Sequence, residues 1–250
     1  MIVREDRGSV AVLRMEHGKV NAIDVELFTE LKEQLEAVER SEAVAAVLAG
    51  TGKAFSAGVD LFRLLQESEN YVSGFLPVLV AGLEKLFLFP KPLVAAVNGH
   101  AIAGGCLMAC ACDYRVAAGG AGTMGVPELL VGVPFPPLAL EIMRFVVSHE
   151  SLQKILYCGK TYSMEQAQQL GMVDEIVPAE NLFMRACAMA EHLSSIPARA
   201  FLFAKLHMRQ PYVDSAKKFG TSDQEILKLW SAPETHRVIR NYLEKTVGKR

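Results

Sequence analysis

One glutamate, Glu128, stands among apolar residues in Met124-Gly125-Val126-Pro127-Glu128-Leu129-Leu130-Val131-Gly132. Desolvation in such a setting raises a carboxyl pKa and makes the group a better base near neutral pH. The plainer reading is an exposed glutamate at a helix start after Pro127, favourable to the helix dipole. Ala103-Gly104-Gly105-Cys106-Leu107 places two glycines between a buried strand and an apolar helix. Glycine permits close approach to the backbone, and the first turn of a helix leaves N–H groups unpaired, which is how an oxyanion can be held. A phosphate cradle is poorly supported, because neither G-x-G-x-x-G nor a following Lys-Ser/Thr is present. Phe55-Ser56-Ala57-Gly58-Val59-Asp60-Leu61 repeats the arrangement, with small residues at 56–58 ahead of a helix. Taken singly, both glycine segments read first as ordinary structural turns.

These segments need elements to aim them. The pattern predicts short strands at Ile2–Glu5 and Val10–Met15, then a helix from Val25 to about Arg40 capped by Asp24, with Leu27, Phe28, Leu31, Leu35 and Val38 at helical spacing. Val44–Leu48 and Leu93–Val97 are continuous apolar runs that suit buried parallel strands. Lys53–Leu61 reads as a loop opening into a helix, and a second helical stretch over roughly Tyr71–Phe89 stops at Pro90 and Pro92. Cys106–Cys112 reads as helix, Tyr114–Ala117 as strand, and a short strand falls near Val173–Val177. Strand alternating with helix predicts an α/β core with parallel strands, and the three segments lie where ligands bind in such sheets, at strand ends. After about Leu138 helices dominate, and the chain divides into a core over 1–195 and a helical region over 196–250.

Bulk properties narrow the partners. A formal net charge of −2 gives no whole-chain reason to expect nucleic acid or an anionic membrane. No window reaches the ~18 apolar residues of a membrane helix, and the charged N-terminus does not read as a signal peptide. Five cysteines (Cys106, Cys110, Cys112, Cys158 and Cys187) in 250 residues argue against a disulfide framework. They read as reduced thiols in a cytoplasmic compartment, and no metal site is expected from them.

Order and spacing then add what single segments do not carry. Lys53-Ala54-Phe55-Ser56-Ala57-Gly58-Val59-Asp60-Leu61, then Lys91 through Ala101 running into Gly104-Gly105-Cys106, then Gly125-Val126-Pro127-Glu128 with Leu130-Val131-Gly132, and finally Ala167-Gln168-Gln169-Leu170-Gly171-Met172-Val173-Asp174 together resemble the crotonase (enoyl-CoA hydratase/isomerase) superfamily. The resemblance implies a spiral of ββα turns with a C-terminal helical region that helps build trimers or dimers of trimers. It implies an acyl-coenzyme A thioester as substrate and no separate cofactor. Carried over by position, the N–H groups of Val59 and Gly104 would form the oxyanion hole. Ala22, Ala57, Asp60 and Leu61 would lie along coenzyme A, with Gly105 in the substrate-binding set and Lys19 as a phosphate or ribose contact. Tyr71–Phe89 would line or cover the acyl pocket.

The carboxylate count points to a reaction within the superfamily. Its hydratases hold one water between two glutamates, the first directly after the glycine-cysteine pair; here that position is Leu107. One glutamate suffices to move a proton from C2 to C4 of a 3-enoyl-CoA. Ala103–Met108 with Cys112–Arg115 resembles the mitochondrial-type delta-3,delta-2-enoyl-CoA isomerases, leucine included, as does the apolar Val133–Leu138. Pro127 departs from that pattern, which carries Asn there. The sequence thus predicts an isomerase with Glu128 as sole acid/base. The alternatives are a 2-enoyl-CoA hydratase borrowing Glu141, an acyl-CoA thioester hydrolase, and a non-catalytic acyl-CoA-binding protein. Asp113, Arg115, His100 and Ser56 read as structural.

Overall fold

The computed structural model describes residues 1–120, 122–219 and 223–246. β1 (Ile2–Arg7) and β2 (Val10–Met15) form an antiparallel hairpin, and α1 (Val25–Arg40) follows. The Asp24 carboxylate accepts the Leu27 N–H at 2.8 Å, satisfying one of the donors that a helix start leaves open. Leu27, Phe28, Leu31, Leu35 and Val38 form the buried stripe of this helix.

The chain then repeats one unit. β3 (Ala45–Ala49), β4 (Ala54–Ser56) and α2 (Leu61–Phe87) make the first turn. β5 (Leu93–Val97), β6 (His100–Ile102) and α3 (Gly104–Ala111) make the second. β7 (Tyr114–Ala118) and β8 (Thr123–Gly125) lead into a short 3-10 helix, Glu128–Val131. The first strand of each unit enters a six-stranded sheet of order β1-β2-β3-β5-β7-β10, closed by β10 (Glu175–Val177). The second enters a four-stranded sheet, β4-β6-β8-β9, whose last strand is β9 (Thr161–Ser163). Pairing from β2 to β10 and from β4 to β8 is parallel. This is the spiral of ββα turns.

β3 and β5 are buried on both faces, which explains their unbroken apolar runs. On one side Ala46, Leu48, Leu93 and Ala95 join the main core; on the other Ala45, Val47, Val94 and Ala96 pack under α7 (Leu182–Ser194). Around these lie α4 (Pro137–Val146), α5 (His149–Cys158), α6 (Met164–Gln169), α8 (Ala198–Lys218), α9 (Asp223–Trp230) and α10 (Pro233–Thr246). Val213, Trp230 and Ile239 of the C-terminal helices belong to the same core as Leu13 and Leu48. α8 is also tied down by charge: Asp113 accepts from Lys205 Nζ at 2.8 Å, from Arg209 at 3.0 Å and from the Leu93 N–H at 2.8 Å. Both cations are almost fully buried, so the carboxylate between them offsets a large desolvation cost.

Two features differ from the expectation. α2 runs unbroken over Leu61–Phe87, so the helix expected to open at Leu61 and the second stretch expected over Tyr71–Phe89 are one helix, started by the Asp60 side chain, which caps the N–H groups of Phe62 and Arg63 at 3.0 Å each. The four-stranded sheet was not foreseen. Each of its strands is three residues long, too short to show an alternation.

Candidate active site

The two glycine segments meet at the end of the sheets, and steric limits show how closely. A Cβ on Gly105 would fall 2.2 Å from the Ser56 carbonyl oxygen, so only glycine lets α3 sit directly on the first segment. A Cβ on Gly58 would meet the Ile102 oxygen at 2.7 Å and the Gly104 nitrogen at 3.1 Å. Gly58 also has φ +83°, a conformation that costs other residues. One from Gly104 would stand 2.7 Å from Ile23 Cδ1 and 3.9 Å from Val59 Cγ2. Gly104 and Val59 are therefore neighbours.

Their N–H groups are the open ones. On the first segment, Ala57 donates to the Val20 oxygen at 2.9 Å, Gly58 to Ser56 Oγ at 3.2 Å and Asp60 to the Ile23 oxygen at 3.0 Å. Between them, the Val59 N–H has no hydrogen-bond acceptor among the described residues, and neither has that of Gly104, the first residue of α3. Ala103 ahead of it holds φ 53° and ψ −125°, a conformation that a side chain disfavours. It is pinned there by its N–H to Gly125 at 2.8 Å and its carbonyl to Leu107 at 3.1 Å. Backbone strain of this kind collects at sites whose geometry the surroundings dictate.

Val59, Gly104 and Glu128 line one cavity of about 70 Å³. Ala57, Leu61 and Leu107 line it from the glycine segments, Leu79 and Leu83 from α2, residues 133–136 from the loop before α4, and Trp230 and Tyr242 from α9 and α10. Glu128 opens the 3-10 helix and is 8% exposed, which replaces the exposed helix-start reading. Burial pushes its carboxyl up from 4.5 to about 8, opposed only by a backbone hydrogen bond. Its Oε2 has no hydrogen-bond partner among the described residues. A buried carboxyl oxygen without a partner, facing an apolar cavity beside two open N–H groups, is equipped to take up and return a proton next to a developing oxyanion.

The remaining predicted residues fall at different places. Asp60 has its carboxylate engaged as the α2 cap. Gly105 is buried against Ser56 and supplies close packing. Lys19 is exposed and Ala22 half-buried on the loop after β2. That loop is stitched to the first segment by Asn21, a residue the sequence reading passed over. Its side chain donates to the Ala54 and Phe55 oxygens at 3.2 and 3.1 Å, and its carbonyl accepts from Ser56 Oγ at 2.7 Å. Asn21 has φ 49°, and asparagine is among the residues that tolerate the left-handed region; nothing in its spacing marked it. In the sequence Trp230 carries only the signal of a core residue, and Tyr242 carries none. Glu141 is buried, pairs with Arg144 at 2.5 Å, accepts from Ser215 at 3.2 Å, and does not line the cavity. Cys106, Cys110 and Cys112 are buried thiols around α3, and His100 contacts Thr123 Oγ1 at 3.0 Å on the surface.

Fold and cavity together define a crotonase-type enzyme, and the comparisons agree. The sequence pattern of the enoyl-CoA hydratase/isomerase family matches residues 5–248, and the chain belongs to that family. It is similar to human mitochondrial enoyl-CoA delta isomerase 1, 28% identical over 250 residues that cover 98% of this chain and 83% of the relative. It is also similar to the mitochondrial enoyl-CoA hydratase of Pongo abelii, 34% identical over 202 residues, 78% of this chain and 68% of the relative. The crystal structure of human mitochondrial delta3-delta2-enoyl-CoA isomerase superposes with a TM-score of 0.92 at 27% identity, covering 100% of this chain and 99% of that one. Relatives of both activities place the chain in enoyl-CoA isomerase/hydratase chemistry.

Proposed function

We propose that this enzyme is an isomerase that shifts the double bond of a 3-enoyl-CoA to the 2-trans position, with Glu128 as sole acid/base. One observation carries the reading: among the described residues lining the cavity, Glu128 supplies the only carboxyl group. The position where hydratases of the family keep their other glutamate is Leu107, which is buried and lines the same cavity. Leucine can neither hold nor polarise water. Glu141, the alternative second acid, is engaged with Arg144 and Ser215. Thioester hydrolysis would equally need a water held and activated beside Glu128, and the lining offers no second carboxyl group for that.

Glu128 removes the proton at C2 of the bound thioester, which becomes an enolate. The negative charge on the thioester oxygen is met by the N–H groups of Val59 and Gly104, and the same carboxyl group returns the proton at C4. In other enzymes one oxyanion donor lowers the barrier by about 3 kcal/mol, so the pair matters as much as the base. The coenzyme A moiety would extend past Ala57, Asp60 and Leu61 toward Ala22 and Lys19, with no separate cofactor. A homotrimer or dimer of trimers fits the family, and the exposed Phe203 and Met208 on α8 support association through 196–250. No described helix is long and apolar enough to cross a membrane. Five unpaired thiols support the reducing, cytoplasmic setting.

The base assignment is tested by the pH profile of kcat/KM on a 3-enoyl-CoA, which reports the free enzyme. A base that ionises near 8 gives activity rising with pH up to about 8. Glu128→Gln should lower kcat by about 10²–10⁴-fold, the usual contribution of a positioned acid/base. An acid limb near pH 5, or a Gln variant with unimpaired turnover, would remove Glu128 from the role.

A further inference from the structure

Trp230 is the largest side chain on the cavity that holds Glu128, and it reaches there from α9, more than a hundred residues later in the chain. It is 2% exposed. Its indole N–H donates to the Pro134 carbonyl at 2.9 Å, and its ring lies 6.2 Å from that of Phe75 on α2. Pro134 itself lines the cavity. A tryptophan held both by its polar edge and by an aromatic neighbour is a fixed wall, because each partner restricts a different degree of freedom of the ring.

We infer that Trp230 sets the length of acyl chain this enzyme accepts, and that the acceptable chains are short to medium and apolar at their far end. The inference rests on the acyl-CoA reading of the site. A cavity of about 70 Å³ holds roughly five to seven water- or methylene-sized groups at about 10–15 Å³ each. The thioester carbon, oxygen and sulfur with the reacting carbons C2 to C4 account for about six of these, which leaves room for about one further methylene and places the limit near six carbons. Beyond it, a chain meets the indole, and moving Trp230 would break the bond to Pro134. A terminal carboxylate is disfavoured too, since among the described lining residues no cation or hydroxyl donor other than Tyr242 stands ready to pair with it.

Two measurements test this on the full-length protein. Trp230 is the one tryptophan in the chain, so its emission reports the wall directly. Coenzyme A and acetyl-CoA should leave the emission unchanged, whereas saturated hexanoyl- and octanoyl-CoA, which cannot isomerise, should quench or shift it. Octanoyl-CoA that binds by calorimetry without altering the emission would overturn the inference. Secondly, kcat/KM on 3-enoyl-CoAs from five to twelve carbons should be highest near six carbons and fall with each methylene beyond that in the unmodified enzyme. Trp230→Ala should move that maximum by two carbons or more and raise the twelve-carbon value at least tenfold. Trp230→Phe keeps an apolar ring in the core and should give a smaller shift in the same direction, should the alanine variant fail to fold. An unchanged maximum in the Phe variant, together with a silent emission, sinks the role of Trp230. Length-dependent emission without turnover would sink the isomerase reading and leave the wall standing; no binding of any acyl-CoA would sink both.

Discussion

Replacing Glu128 by Gln keeps the shape of the side chain and removes its titration, so the pair of proteins isolates what the buried carboxyl group does to stability. In the folded chain the group ionises near 8, against 4.5 ordinarily, because burial disfavours the charged form. A carboxyl group raised in this way is bound to its proton more tightly in the folded state than in the unfolded one. Its contribution is fully present below pH 4.5, declines as pH rises, and is gone above about 8. At 1.36 kcal/mol per pH unit, the gap between 4.5 and about 8 corresponds to about 5 kcal/mol as an upper bound, with about 3 kcal/mol already lost at pH 7. The Glu128→Gln protein would carry no such dependence; its unpaired amide is a fixed cost at all pH values. For a chain of this size, about 2–4 °C of Tm accompany each kcal/mol. Thermal melts at pH 5, 7 and 9 should therefore show the difference between Glu128→Gln and the unmodified protein moving in favour of the variant by roughly 10 °C across the series. Parallel curves for the two proteins would refute the buried, proton-holding carboxyl group and with it the pH argument for the base.

Gly105→Ala forces a Cβ to within 2.2 Å of the Ser56 oxygen, and backbone must yield. We expect a loss of about 1–3 kcal/mol in denaturant melts, together with lower kcat, because the two segments are spread apart. Ala103→Gly relieves the φ 53° conformation and should stabilise by about 1 kcal/mol, since the strain removed exceeds the added chain entropy; a destabilised variant would mean that Ala103 is not strained. Asp113→Asn leaves Lys205 and Arg209 buried with no countercharge, so urea unfolding should show a loss of about 3–5 kcal/mol. A change below about 1 kcal/mol would mean that α8 is held by packing alone.

The parts of the fold that could be read in advance are those with enough residues to show a period. Val25–Arg40 carries five apolar residues on one stripe and an aspartate cap, and Leu93–Val97 is apolar throughout because both faces of its sheet are covered. What escaped lies below that length or depends on distant partners. β4, β6, β8 and β9 have three residues each, and it is the pairing among them that seats the two glycine segments side by side. That the helix opening at Leu61 runs on without a break into the Tyr71–Phe89 stretch was not visible locally, and Asp60, its cap, was also read as an element of the ligand site. Of the residues lining the cavity, Glu128 was singled out by its apolar surroundings, whereas Val59 and Gly104 were singled out through the order and spacing of segments that resemble the superfamily, each glycine segment alone reading as a structural turn. Trp230 and Tyr242 come from helices whose docking no local pattern encodes. Asn21 acts through side-chain bonds to residues more than thirty positions away, and its type alone gave no sign of them.

The most direct measurement is product identification by mass and chromatography after incubating the purified protein separately with a 3-enoyl-CoA and a 2-trans-enoyl-CoA. A site with one buried carboxyl group and Leu107 in place of a second predicts conversion of the first to its 2-trans isomer, with no mass change. It predicts no addition of water to the second. A product heavier by one water would contradict the single-carboxylate account and make the enzyme a hydratase. Release of free coenzyme A would contradict it in favour of thioester hydrolysis.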